Sequence, residues 1–195
     1  MKAKKKAKAV LLQVAHLGNL VVGKKAKNVG NIYDLQIREL IDNMIATCLE
    51  IDGVGIAAPQ VYRSLRLFII ASRPNPRYPH APKMRPLPVI NPKIVSSGKK
   101  KSKDWEGCLS IPGIRGLVPR YSSITVEYTI KDGRRIKKTF KGFVARIFQH
   151  EYDHIEGMTF LERVENPKEF ISEKEYQRMM KAKRIKQTEE AGISA

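Results

Sequence analysis

The sequence predicts an α+β fold: antiparallel β-sheets around a central helix carrying an HExxH motif, plus an N-terminal helix and a C-terminal helix. Three observations lead there. Ile37, Leu40, Ile41, Met44, Ile45, Cys48 and Leu49 recur at helical spacing. Ile124, Val126, Tyr128 and Ile130 alternate with polar residues ahead of an Asp132-Gly133 turn, the pattern of a β-hairpin. After Gly142 the stretch FVARIFQHEYDHIEG is helical and holds two histidines four positions apart. At 195 residues the chain is long enough for one domain and short for two. That domain is expected over residues 1–166, with a basic tail at residues 1–9, and residues 167–195 add a C-terminal helix and tail.

Taken in order, the first helix is stopped by Gly53, and Cys48 on its apolar face reads as a small buried hydrophobe. Residues 66–71 (RLFIIA) read as a buried strand. Residues 72–92 contain seven prolines and are expected to form an irregular loop with short extended pieces. The hairpin runs on to Phe140, and the second helix occupies residues 142–157. A last charged helix is expected over residues 167–187, with Pro167 suited to its first turn. No internal repeat is visible.

Hydrophobic residues at 42% and charged residues at 29% are globular proportions, which excludes disordered, collagenous and membrane classes. No apolar run approaches the roughly 18 residues of a spanning helix. Thirty-seven Lys and Arg against 19 Asp and Glu give a net charge of +18, which argues for polyanion partners. The basic residues cluster before Asp34, at residues 98–103 and at residues 131–141. Aromatic residues make up 7% of the chain and are not interleaved with these runs, so sequence-specific nucleic-acid binding is not expected. Two cysteines sixty positions apart make no disulfide framework, and the N-terminus reads as no secretory signal; both suit a reducing cytoplasm.

His150-Glu151-Tyr152-Asp153-His154 is the sharpest signal. Residues i and i+4 share one helical face, so both imidazoles can reach one metal ion, with Glu151 beside them as general base. A catalytic zinc-type site needs a third protein ligand. Where a metzincin has its last histidine this chain has Phe160, which cannot ligate. A thermolysin-like endopeptidase would use Glu173 or Glu175, and that alternative stays open on the HExxH motif alone.

Two further motifs change the balance: Glu106-Gly107-Cys108-Leu109-Ser110, and Gly53-Val54-Gly55-Ile56-Ala57-Ala58-Pro59-Gln60. With the HExxH they resemble, in order, the EGCLS, GxGLAAxQ and HExDHLxG patterns of the peptide deformylase family, over residues 10–161. Ile56 and Ile155 replace leucines, swaps of similar volume. The resemblance implies hydrolysis of the N-formyl group from the methionine that begins a nascent bacterial chain, releasing formate. It implies Cys108, His150 and His154 as metal ligands, Glu151 as general base, and the Gln60 side-chain amide and Leu109 N–H as oxyanion donors. Gly55 would bond the substrate backbone, while Val54, Phe143 and Ile147 line the methionine pocket. Arg115 is expected at the substrate site, paired with Asp153 to orient the ligands. The family further implies Fe2+, with Zn2+, Ni2+ or Co2+ as substitutes, formyl-Met nascent peptides as substrates, and a cytoplasmic location. The basic shell is expected to favour encounter with the ribosome surface.

Overall fold

The computed structural model describes residues 9–190. Most of the predicted basic tail therefore lies outside the described residues. Helix α1 (Leu35–Glu50) starts where the Asp34 side chain accepts from the Gln36 N–H, and it buries Leu40, Ile41, Met44 and Cys48 as the apolar spacing requires. Strands β1 (Gly55–Ala57), β2 (Leu67–Ile70), β3 (Leu87–Ser97), β6 (Ser123–Thr129) and β7 (Arg135–Lys141) form an antiparallel five-stranded sheet in the order β1-β2-β3-β6-β7. The predicted hairpin is β6 and β7, paired from Ser123 opposite Lys141 to Thr129 opposite Arg135. Strands β4 (Lys101–Cys108), β5 (Ile111–Tyr121) and β8 (Phe170–Ser172) form a second sheet in that order.

Helix α2 (Gly142–Ile155) packs against β1, β2 and β7 of the larger sheet and against β5 of the smaller one. Phe148 seats it, meeting Phe68 edge-on with ring centroids 5.0 Å apart. Gly157 ends the helix with φ +79°; a Cβ there would press on the Lys24 and Lys25 backbone at 2.8 and 2.9 Å.

Two expectations are corrected. The proline-rich loop ends at Leu87, not Pro92, because β3 incorporates Pro88 and Pro92. Pro88 stands opposite Ile69, and the register shifts between Ile90 and Lys93, where Asn91 takes φ +48°. A bulge of this kind spares Pro92 from donating to the ladder. The Asn91 side chain then bonds both the N–H and the carbonyl of Val29, each at 2.9 Å. The C-terminal helix, expected from residue 167, begins only at Glu173 as α3 (Glu173–Glu190). Pro167–Glu169 is a single 3-10 turn, and Phe170–Ser172 pairs with β5 because an open sheet edge and the small apolar cluster around Phe160 are available to it.

Candidate metal centre

Each part of the site follows from a local pattern. Side chains alternate along a strand, so Glu106 and Cys108 at the end of β4 face the same way, and both are buried. His150 and His154 lie one turn apart on α2, with ring centroids 5.1 Å apart. The Cys108 Sγ and one nitrogen of each imidazole all lie within 4.8 Å of one another, and Cys108 Sγ is 3.2 Å from His154 Nε2. The structure thus brings the three predicted ligands together. A thiol and two imidazoles are a donor set that suits a divalent transition metal.

The His150 ring is set by a residue the sequence left without a role. Glu106 Oε2 lies 2.9 Å from His150 Nδ1; a carboxylate only accepts, so Nδ1 carries the proton and Nε2 is the nitrogen that could hold a metal. Arg120 adds a two-pronged contact to Glu106, both bonds 3.0 Å, and Arg146 a third at 2.8 Å. Burial would raise the Glu106 carboxyl, but Arg120 and His150 overcome it and hold it far below the usual carboxylate range. Burial likewise opposes ionisation of Cys108, and His154 and His150 outweigh it and hold the thiol well below its ordinary value. Cys48, by contrast, is pushed up to about 12 by burial, as befits an inert core thiol.

Glu151 is buried beside the two histidines, with Oε2 unpaired, and burial raises its carboxyl to about 7 against the pull of His150 and His154. Gly55 leaves room for it: a Cβ there would collide with the Glu151 carboxylate and force that side chain to move. Gln60 sits in a 3-10 turn (Ala58–Val61), where its Oε1 accepts from the Ala57 N–H at 2.8 Å. That bond turns Nε2 toward Ser110 Oγ at 3.2 Å and Cys108 Sγ at 3.4 Å. Val54, Gly55, Leu109, Phe143 and Ile147 line the same cavity as Gln60, Cys108, His150 and Glu151.

One predicted pair does not form. Asp153 binds Arg120 at 2.5 Å and Arg163 at 2.6 Å, whereas Arg115 is claimed by Glu173 through bonds of 2.7 and 3.0 Å. Arg115 is fully buried with its guanidinium 4.1 Å from the Tyr176 ring, and α3, which the sequence did not dock anywhere, supplies both partners. Glu173 is thereby committed elsewhere, and Glu175 pairs with Arg178 at 2.6 Å. Neither completes the metal set, so the thermolysin-like alternative falls. Glu106, Arg120 and Arg146 escaped the sequence reading because they are 14 and 40 positions apart. The only available hint was an acid two residues before the thiol, on the same strand face.

The polypeptide deformylase family profile matches residues 11–170. Peptide deformylase 2 of Nostoc sp. (strain PCC 7120) is 56% identical over 87% of this chain and 95% of its own length. The chain belongs to the peptide deformylase family. Peptide deformylase 2 of Shewanella oneidensis is 44% identical over 84% of this chain and 90% of its own. Among solved structures, the peptide deformylase of Acinetobacter baumannii with Met-Ala-Ser bound is 44% identical, with a TM-score of 0.78 over 80% of this chain and all of the other. That of Thermotoga maritima is 33% identical, with a TM-score of 0.73. This family is metal-dependent, in accord with the Cys108, His150 and His154 cluster.

Replacing Glu106 by Gln should free the His150 ring and leave Arg120 and Arg146 short of a buried anion. Bound-metal affinity, measured by competition with a chelator, is expected to fall about 10- to 100-fold. Unchanged affinity would mean that His150 is oriented without Glu106.

Proposed function

We propose that this protein is a metal-dependent hydrolase that removes the formyl group from the N-terminal formylmethionine of newly made chains and releases formate. The observation that carries the reading is the convergence of Cys108, His150 and His154 beside Glu151 in a cavity with apolar walls. A divalent metal held by those three residues would supply a Lewis acid and make a water acidic near neutral pH.

The protein's own groups do the rest. Glu151 takes the proton of the attacking water and delivers it to the departing amine; a buried carboxyl near neutrality is suited to both steps. The Gln60 Nε2 and the Leu109 N–H, both beside Cys108, stabilise the charge that develops on the formyl oxygen. Val54, Phe143 and Ile147 hold the methionine side chain, and Gly55 lets the peptide backbone come close. Arg115, expected at the substrate site, is fully buried, bound to Glu173 and not among the residues that line the cavity; in this reading it backs Gly107 and does not touch the substrate. The Met-Ala-Ser named with the Acinetobacter structure begins with methionine, as a product of this reaction would.

Fe2+ is the ion proposed, with Zn2+, Ni2+ or Co2+ as substitutes, since a thiolate and two imidazoles accept all four. The catalytic domain, expected over residues 1–166, extends in this reading through β8, which pairs with β5, and α3 follows from Glu173. The cytoplasm of a bacterium is the proposed location. Both cysteines are free, and no helix among the described residues is long and apolar enough to cross a membrane.

Anaerobically prepared protein should release formate from a formyl-Met peptide, and Glu151→Gln should lower kcat by about 100- to 10,000-fold. Equal formate from the variant would contradict the role of Glu151. The +18 charge also supports weak association with the ribosome surface. Co-sedimentation with ribosomes should decline steeply as salt rises; co-sedimentation unaffected by salt would count against an electrostatic contact.

A further inference from the structure

Beyond the methionine pocket the cleft wall changes character. Phe143 belongs to the apolar pocket, and Tyr78 tilts against it with ring centroids 5.2 Å apart. Two guanidinium groups, those of Arg77 and Arg115, also lie near Tyr78, at 5.9 and 5.7 Å from its ring centroid. Both also flank Gly107, the residue before the thiol ligand. A Cβ built on Gly107 would lie 3.3 Å from Arg77 Nη2 and 3.7 Å from Arg115 Cζ. Arg77, Tyr78 and Gly107 all line the reaction cavity.

Arg77 is held there by design of its loop. Asn75 is buried; its Oδ1 accepts from the N–H groups of Arg77 and Tyr78, each at 2.9 Å, and its Nδ2 donates to the Asp52 carbonyl at 3.2 Å. The surrounding acids are committed elsewhere. Glu173 gives both oxygens to Arg115, Asp52 pairs with Arg73, Asp104 accepts from the Trp105 N–H, and Glu106 is held by Arg120, Arg146 and His150. Among the described residues Arg77 has no ion-pair partner, although the Glu173 carboxyl is lowered in part by its charge. Arg115 thus takes the one nearby carboxylate, and Arg77 stands at the cavity wall without one of its own.

We propose that Arg77 is a carboxylate-recognition point that selects formylated peptides carrying an acidic side chain at the second or third residue. This rests on the deformylase reading of the site. A peptide leaving the pocket in extended form advances about 3.3 Å per residue, so its next one or two side chains pass the Tyr78 ring and come within reach of the guanidinium. Arg77 offers a fork that matches a carboxylate, and half-burial limits the screening.

The test compares formyl-Met-Asp-Ala and formyl-Met-Ala-Asp with their Asn counterparts, all C-terminally amidated so that no terminal carboxylate competes; free-acid forms of the Asn peptides report that second source separately. With the metal-loaded native enzyme at low salt, kcat/KM should favour Asp over Asn about two- to fivefold at one of the two positions, the size expected of a partly exposed ion pair. The difference should lie in KM and shrink as KCl is added. The Asp-to-Asn ratio should fall to about one in Arg77→Gln and be partly restored in Arg77→Lys, while Arg77→Glu should turn the preference toward Lys-containing peptides. A native ratio near one at both positions, or an unchanged ratio in Arg77→Gln, overturns the proposal. Hydrolysis of the Asn peptides reports the reaction itself, so inactivity on every peptide defeats the deformylase reading, whereas activity without discrimination defeats only the role of Arg77.

Discussion

A carboxylate with almost no access to water, Glu106, joins the smaller sheet to the central helix, and the geometry of the centre depends on that join. A lone buried charge would cost several kcal/mol. Here two arginines and a histidine surround it: Arg120 from β5, and Arg146 and His150 from α2. Because strand side chains repeat every two residues and helix side chains every turn, fixing Glu106 against His150 also fixes Cys108 against His154. One polar contact sets the register of strand on helix, and the donor set follows from it.

The same charges continue outward as a chain. Arg120 bridges Glu106 and Asp153, and Asp153 passes the link to Arg163 near the surface. Breaking such a network at one member leaves the others buried and uncompensated, so its parts are valuable only together. The apolar side of α2 has a complementary task. Phe148 and its aromatic neighbours hold the helix on the larger sheet, while Phe143 and Ile147 on the same helix face the cavity. Two of the three candidate ligands, the proposed base and two residues of the cavity wall are thus carried by one helix, and the C-terminal helix holds Arg115 of β5 through Glu173.

Where a pattern is local, the sequence could be read. The spacing of α1, the alternation of β6 and β7, and the three motifs with their ligands depend on residues a few positions apart, and each appears in the structure near where it was expected. The strand β3 was obscured by Pro88 and Pro92, which a bulge absorbs. β4 was missed because its first four residues are exposed and three of them are charged, so no apolar alternation announces it. The partners of Arg115 and Asp153 could not be read, since an ion pair between distant residues leaves no local signal. Arg115 finds Glu173 only because β8 carries the chain back alongside β5.

That Cys108, rather than a downstream glutamate, completes the metal set with His150 and His154 is tested most directly by X-ray absorption spectroscopy on the metal-loaded protein. One sulfur and two imidazole nitrogens around the ion are expected, with the sulfur contribution lost in Cys108→Ala. A first shell of nitrogen and oxygen alone in the native protein would contradict this arrangement.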